Sequence, residues 1–228
     1  MKIHVIQHVP FEGAAQIAKW AEERSHSIEI IRLYNGDPLP VVASGDALVI
    51  MGGPMSVHDV KDYPWLRDEM NFVRDEVGRG TKTLGVCLGS QIIAQAMGGR
   101  VYRNSEKEIG WFPVIRRQMT VFNTLPLPER MTVFHWHGET YDLPPEAELI
   151  FSSEGCANQG FVIGSAVGLQ FHLEMDRESV EGIVANCGNE LVSGKYIRCA
   201  EDIISGETLY ADEGRAFLFD LLDRALTV

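Results

Sequence analysis

Nowhere does this chain hold a run of about 18 apolar residues, so no segment is expected to cross a bilayer as a helix. The first residues, Met1 to Gln7, read as one strand-length apolar run. They lack the basic start, longer apolar stretch and small-residue cleavage site of a secretory leader. Basic residues are in short supply: 20 Lys and Arg stand against 32 Asp and Glu, a net charge of −12. That balance argues against a broad nucleic-acid-binding face, which needs clustered cations to neutralise phosphates. The cysteines Cys87, Cys156, Cys187 and Cys199 are not paired at short range and form no Cys-x-x-Cys. A chain of this length folds without disulfide staples, so reduced thiols and a cytoplasmic location are expected. A Gly-x-x-x-x-Gly-Lys-Ser/Thr phosphate loop is also missing, and with it the most direct route to nucleotide binding.

What is there suits one substantial core. The 228 residues are 45% hydrophobic and 23% charged, an ordinary globular mixture. In the first half, short apolar runs alternate with amphipathic stretches. Ile3 to Ile6, Ser27 to Leu33, Ala47 to Met51 and Thr81 to Val86 read as strands. Between and after them, helical spacing marks Ala14 to Ala21, Leu66 to Val77 and Ser90 to Met97. This order predicts an α/β, flavodoxin-like fold, a mainly parallel sheet with helices on both faces.

From about residue 100 to 172 the pattern turns to strands without long helices, at 112–115, 131–135, 149–152, 161–163 and 166–171, separated by Pro126, Pro128, Pro144 and Pro145. We read this as an antiparallel extension of the same domain. A helix follows over 176–192, and Phe217, Leu218, Leu221, Leu222 and Ala225 form an apolar stripe near the end. The expected division is a domain over 1–192 and a C-terminal helical extension over 193–228, its stripe packed on that domain.

The most informative segment is Gly85-Val86-Cys87-Leu88-Gly89-Ser90-Gln91. A strand runs into it and a helix leaves it, which gives the Gly-x-nucleophile-x-Gly form of an elbow at the carboxyl end of a sheet. At a helix start, free N–H groups and the helix dipole favour a thiolate. The N–H of Leu88 is placed to face a developing oxyanion. The plainer reading is a buried structural cysteine, which suits Cys187 on its helix stripe better than Cys87.

A thiol nucleophile needs a base, and the base an orienting group. His172 follows an apolar strand in Gln170-Phe171-His172-Leu173-Glu174. Residues two apart in extended backbone project to one side, so Glu174 is expected to hold one imidazole nitrogen and leave the other for the thiol. A lone histidine at a strand end is more often a surface residue; the spacing to Glu174, beside the elbow, reverses that. A third element, Met51-Gly52-Gly53-Pro54, is either a tight βα turn or a loop whose N–H groups meet a ligand.

Together with Tyr63-Pro64-Trp65-Leu66, Glu108-Ile109-Gly110-Trp111 and Trp136-His137-Gly138-Glu139, these elements resemble the class I (triad) glutamine amidotransferases, in particular stand-alone proteins similar to the glutaminase domain of GMP synthetase. The resemblance spans about residues 1 to 190. It implies Cys87 as nucleophile, His172 as general base and acid, and Glu174 as its orienting partner. It implies an oxyanion hole from the N–H groups of Gly53 and Leu88, and a substrate pocket touched by Gly52 and Gln91. It implies hydrolysis of the glutamine side-chain amide through a thioester, with no metal and no cofactor. The family usually carries Pro where this chain has Leu173, a change that adds a backbone donor and frees φ.

Two other readings share these residues. The same triad would cleave γ-glutamyl peptides, since only the leaving group differs. A regulatory, glutamine-sensing subunit would keep the fold without turnover, but all three triad residues are present. The stretch after residue 195 is too short for a synthetase domain, so released ammonia is expected to pass to a synthetase partner or to be the product itself. His135-Trp136-His137 has the same-face spacing of a metal pair, but its third ligand is not evident beyond Glu139, and zinc sites take three or four.

Overall fold

The computed structural model describes residues 1–117 and 128–227; Pro126 lies outside them. Five parallel strands form one half of a single sheet: β1 (Lys2–Gln7), β2 (Ser27–Arg32), β3 (Ala47–Ile50), β4 (Lys82–Val86) and β9 (Ala166–Leu169), in the order β2-β1-β3-β4-β9. Strand β3 is buried along its whole length, as an apolar run in mid-sheet must be. The antiparallel half continues from β9 through β8 (Gly160–Ile163) and β7 (Glu148–Ser152) to β5 (Val101–Arg116), which also pairs with β6 (Arg130–Tyr141). A short β10 (Tyr196–Ile197) adds a parallel edge to β5.

Helices cover both faces. On one side α1 (Ala15–Glu23) and α5 (Ala200–Ala225) bury Ile17, Trp20, Phe217, Leu218, Leu221 and Leu222 against Ile3, Val5 and Val49. On the other, α2 (Trp65–Gly78) and α3 (Leu88–Ala96) bury Leu66, Val73, Ile92 and Ile93 against Ile6, Leu48 and Ile50. Alternation along β1 and β3 divides their side chains between the two layers. A third apolar cluster joins α4 (Arg177–Cys187) to Ile109, Phe134 and Trp136. No described helix is long and apolar enough to cross a membrane.

Three expectations need correction. Strand β5 starts at Val101 rather than 112, because Val101, Tyr102 and Arg103 already pair with β6 and the polar run 104–107 is carried across a register shift before pairing resumes at Glu108. Helix α4 stops at Cys187 and a 3₁₀ turn carries the chain on over Gly188–Glu190. The terminal helix is 26 residues long. The apolar stripe marked only its last turns; Gly206 and Gly214, earlier in the helix, are buried where side chains of other elements pass close.

Candidate active site

Strand β4 delivers Cys87 into a backbone conformation that L-residues rarely adopt, φ 49° and ψ −106°, and α3 starts one residue later. The strain is held from both sides. The Cys87 N–H donates to Leu169 O at 2.7 Å, and its carbonyl accepts from the N–H groups of Ser90 and Gln91 at 3.0 and 3.2 Å. Gly89 is obligatory: a Cβ there would lie 2.1 Å from Ile50 O. Outliers of this kind cost on the order of 1–3 kcal/mol and persist where the surroundings over-determine them. The Cys87 thiol points to Trp136 O at 3.6 Å, and Gln170 Nε2 donates to Sγ at the same distance.

His172 follows β9 and is anchored by its own N–H, which donates to Phe134 O at 2.8 Å. Its Nδ1 meets Glu174 Oε1 at 2.7 Å, and Leu173 N–H donates to Glu174 Oε2 at 3.0 Å, so both carboxylate oxygens are held. The donor that Pro lacks is therefore used. Nε2 is buried, forms no full hydrogen bond, and is left to interact with the Cys87 thiol. Burial opposes an imidazolium here, but the Glu174 charge, the thiol and the Glu174 hydrogen bond outweigh it and raise the His172 pKa well above its usual value.

The thiol departs from the expectation drawn from the helix start. Burial pushes the Cys87 pKa up, and His172 only partly offsets it. Desolvation thus outweighs the pull of His172 and favours the thiol form.

The turn after β3 is fixed from below. Buried His8 has Nδ1 3.0 Å from Gly52 O and Nε2 2.9 Å from the buried Glu69 Oε1, and it stacks on Trp65 at 5.5 Å. Burial lowers the His8 pKa, yet Glu69 and the Gly52 carbonyl, both acceptors facing its ring nitrogens, reverse this and raise it. No peptide bond among the described residues is cis. In a trans peptide C=O and N–H point opposite ways, so holding Gly52 O on His8 turns Gly53 N–H away from His8. Gly53 borders a cavity of about 320 Å³ that opens over Cys87 and is shared with Glu12, Met55, Gln91, Trp136 and Glu139. Leu88 buries its side chain in the α2–α3 core while its N–H opens helix α3.

Gln91 reaches this cavity with Nε2 3.1 Å from Gln170 Oε1. Gly52 does not border it. A Cβ on Gly52 would lie 2.1 Å from Glu12 Oε2 and 3.3 Å from His172 Cε1, so its lack of a side chain makes room for Glu12 beside the imidazole.

The family model for glutamine amidotransferase class-I matches residues 14–187. The chain belongs to the class-I glutamine amidotransferases. It is 35% identical to a glutamine amidotransferase-like protein, YfeJ, of Salmonella typhimurium, over 86% of this chain and 84% of that one. It is 29% identical to a glutamine-hydrolysing GMP synthase of Thermomicrobium roseum, over 62% of this chain but only 25% of that protein. Among solved structures, a glutamine amidotransferase of Thermotoga maritima superposes with TM-score 0.90 at 29% identity, covering 100% of this chain and 99% of the other. One from Methylobacillus flagellatus gives 0.91 at 28% identity, over 98% and 93%.

Sequence reasoning missed several groups in this class-I family member. The third partner of His135 and His137 is Glu108 from β5, not Glu139, and donor atoms of the three lie within 4.8 Å of one another. Glu139 supplies only its carbonyl, 3.0 Å from His137 Nδ1. Gln159 Nε2 already sits among the three, 2.6 Å from Glu108 Oε2, 3.3 Å from His137 Nε2 and 3.4 Å from His135 Nδ1. The cluster is thus closed by an amide, and it braces β6 behind Trp136, whose carbonyl meets the thiol. Burial lowers the His135 pKa to about 4, keeping that ring neutral. His8, Glu12 and Gln170 were also missed. Only Gln170 left a sequence trace, two residues before His172.

Proposed function

We propose that this protein hydrolyses the side-chain amide of glutamine through a Cys87 thioester. The observation that carries the reading is the strained cysteine at the elbow, facing the one imidazole nitrogen that Glu174 leaves free. The amide enters the cavity over Cys87. His172 Nε2 takes the thiol proton as Sγ attacks the amide carbon. The resulting oxyanion is stabilised by the N–H groups of Gly53 and Leu88, donors typically worth ~10²–10³ in rate each. The C–N bond then breaks, its electron pair staying on nitrogen, and His172 gives that nitrogen its proton. Ammonia leaves. Water, deprotonated by His172, attacks the thioester and releases glutamate. The chain uses its own side chains and backbone for each step, with no cofactor or metal. Ammonia released here serves a synthetase partner or is itself the product.

The reading is tested by ammonia and glutamate release from glutamine by the wild type and Cys87→Ala. Turnover lost in the variant supports it. Turnover confined to γ-glutamyl peptides would replace it with a peptide hydrolase, and no turnover of either, even with candidate synthetase partners added, would leave a regulatory subunit.

A further inference from the structure

Glu12 lies in the turn between β1 and α1, outside the stretch that the family model matches. Its side chain is buried, yet it borders the cavity that contains Cys87. Gly52 has no Cβ, and the position a Cβ would take lies 2.1 Å from Glu12 Oε2 and 3.3 Å from His172 Cε1, a ring carbon bonded to Nε2. The charged neighbours of Glu12 include His172, Glu174, His8 and Glu190, each acting on it through charge. Its carboxyl borders the cavity, where the N–H of a bound ligand can take the place of water as its donor.

The proposed reaction supplies one. His172 Nε2 must hand its proton to the leaving nitrogen, so that nitrogen sits against the same ring edge that Glu12 flanks. In the tetrahedral intermediate of a primary amide, the nitrogen uses its lone pair to take the His172 proton and keeps two N–H bonds. We propose that Glu12 accepts one of these N–H bonds and so makes the site selective for primary amides over esters. The inference rests on the glutaminase reading above. An ester oxygen has no N–H to give, and it brings lone pairs towards a carboxylate. As the C–N bond breaks, its electrons stay on nitrogen, the His172 proton completes ammonia, and Glu12 holds that ammonia as it forms. Burial pushes the Glu12 pKa up to about 7, with Glu174 repulsion adding to it and His172 and His8 opposing it. The acceptor strengthens as the carboxyl ionises above that value.

The test compares kcat/KM for L-glutamine and for L-glutamate γ-methyl ester in the wild type, Glu12→Gln and Glu12→Met. Both substrates form the same thioester, so deacylation is common to them. Glu12→Met, which has no acceptor, is expected to lose on the order of tenfold or more on glutamine, as for a hydrogen bond to a charged group. It should change less than about twofold on the ester, and Glu12→Gln, which keeps a carbonyl oxygen, should fall between. Equal losses on both substrates would overturn the proposal, since Glu12 would then be acting on His172 itself. Unchanged glutamine turnover in Glu12→Met would overturn it too. Wild type inactive on both substrates would instead sink the glutaminase reading, and this inference with it.

Discussion

The N–H of Leu173 donates to Glu174 Oε2 at 3.0 Å, while the other oxygen of the same carboxylate holds His172 Nδ1 at 2.7 Å. The residue between His172 and Glu174 therefore contributes through its backbone. Leu173→Pro deletes that donor. We expect a loss of roughly five- to tenfold in kcat/KM, in line with one hydrogen bond to a charged acceptor. In a Glu174→Ala background the same substitution should cost almost nothing more, because its target is gone. A full additional loss in that background would show that proline acts by distorting the chain.

The Cys87 backbone makes an opposite demand on stability and on chemistry. At φ 49° a Cβ is strained, so Cys87→Gly should be more stable than Cys87→Ala by about 1 kcal/mol, the reverse of the usual ranking of these residues. Both variants lose the proposed nucleophile and should release no ammonia. Urea denaturation of the pair decides the matter: equal midpoints would mean that the elbow carries no strain.

His8 is expected to act on rate through the Gly52 carbonyl. His8→Leu frees that carbonyl, lets the Gly52–Gly53 peptide rotate, and should lower kcat by about tenfold or more with little change in KM. Glu69 would be left buried and unpaired, so stability falls as well. The double variant His8→Leu/Glu69→Leu removes that charge. If it recovers stability but not kcat, the catalytic effect belongs to the carbonyl; recovery of both would assign His8 to stability alone.

Much of this site was legible in the chain because its signals are local. Gly85-x-Cys87-x-Gly89 must accommodate a strand, a turn and a helix in a few residues, and His172-x-Glu174 needs only one turn of phase. The groups that were missed meet across long separations. His8, Gly52 and Glu69 come from three elements, and no spacing rule links them. Glu12 reads as an ordinary turn carboxylate until Gly52 is seen to leave room for it. The polar first half of β5 hid for a different reason. It is held as strand by pairing with β6 on either side of it, at Arg103 and Glu108, whereas its composition resembles a loop.

Glu12 also makes a prediction about folding that does not depend on turnover. Its pKa stands near 7 in the folded chain, above the ordinary 4.5 that it regains on unfolding. Between those values the folded state keeps a proton that the unfolded state has lost, so stability falls as pH rises through the window. Below about 4.5 the carboxyl is neutral in both states and costs nothing by this route; above about 7 it is charged in both, and the whole penalty is present. For a group this buried the shift amounts to about 3 kcal/mol. Glu12→Gln cannot ionise, so its stability relative to wild type should rise between pH 5 and pH 8 by an amount of that order. Other groups that titrate in this range cancel in the difference between the two proteins, apart from the His172, Glu174, His8 and Glu190 side chains that Glu12 faces. Equilibrium urea unfolding of both proteins at the two pH values gives this difference directly. A difference that stays constant with pH would show that Glu12 is already ionised at pH 5, solvated by water in the cavity, and not held neutral beside the imidazole.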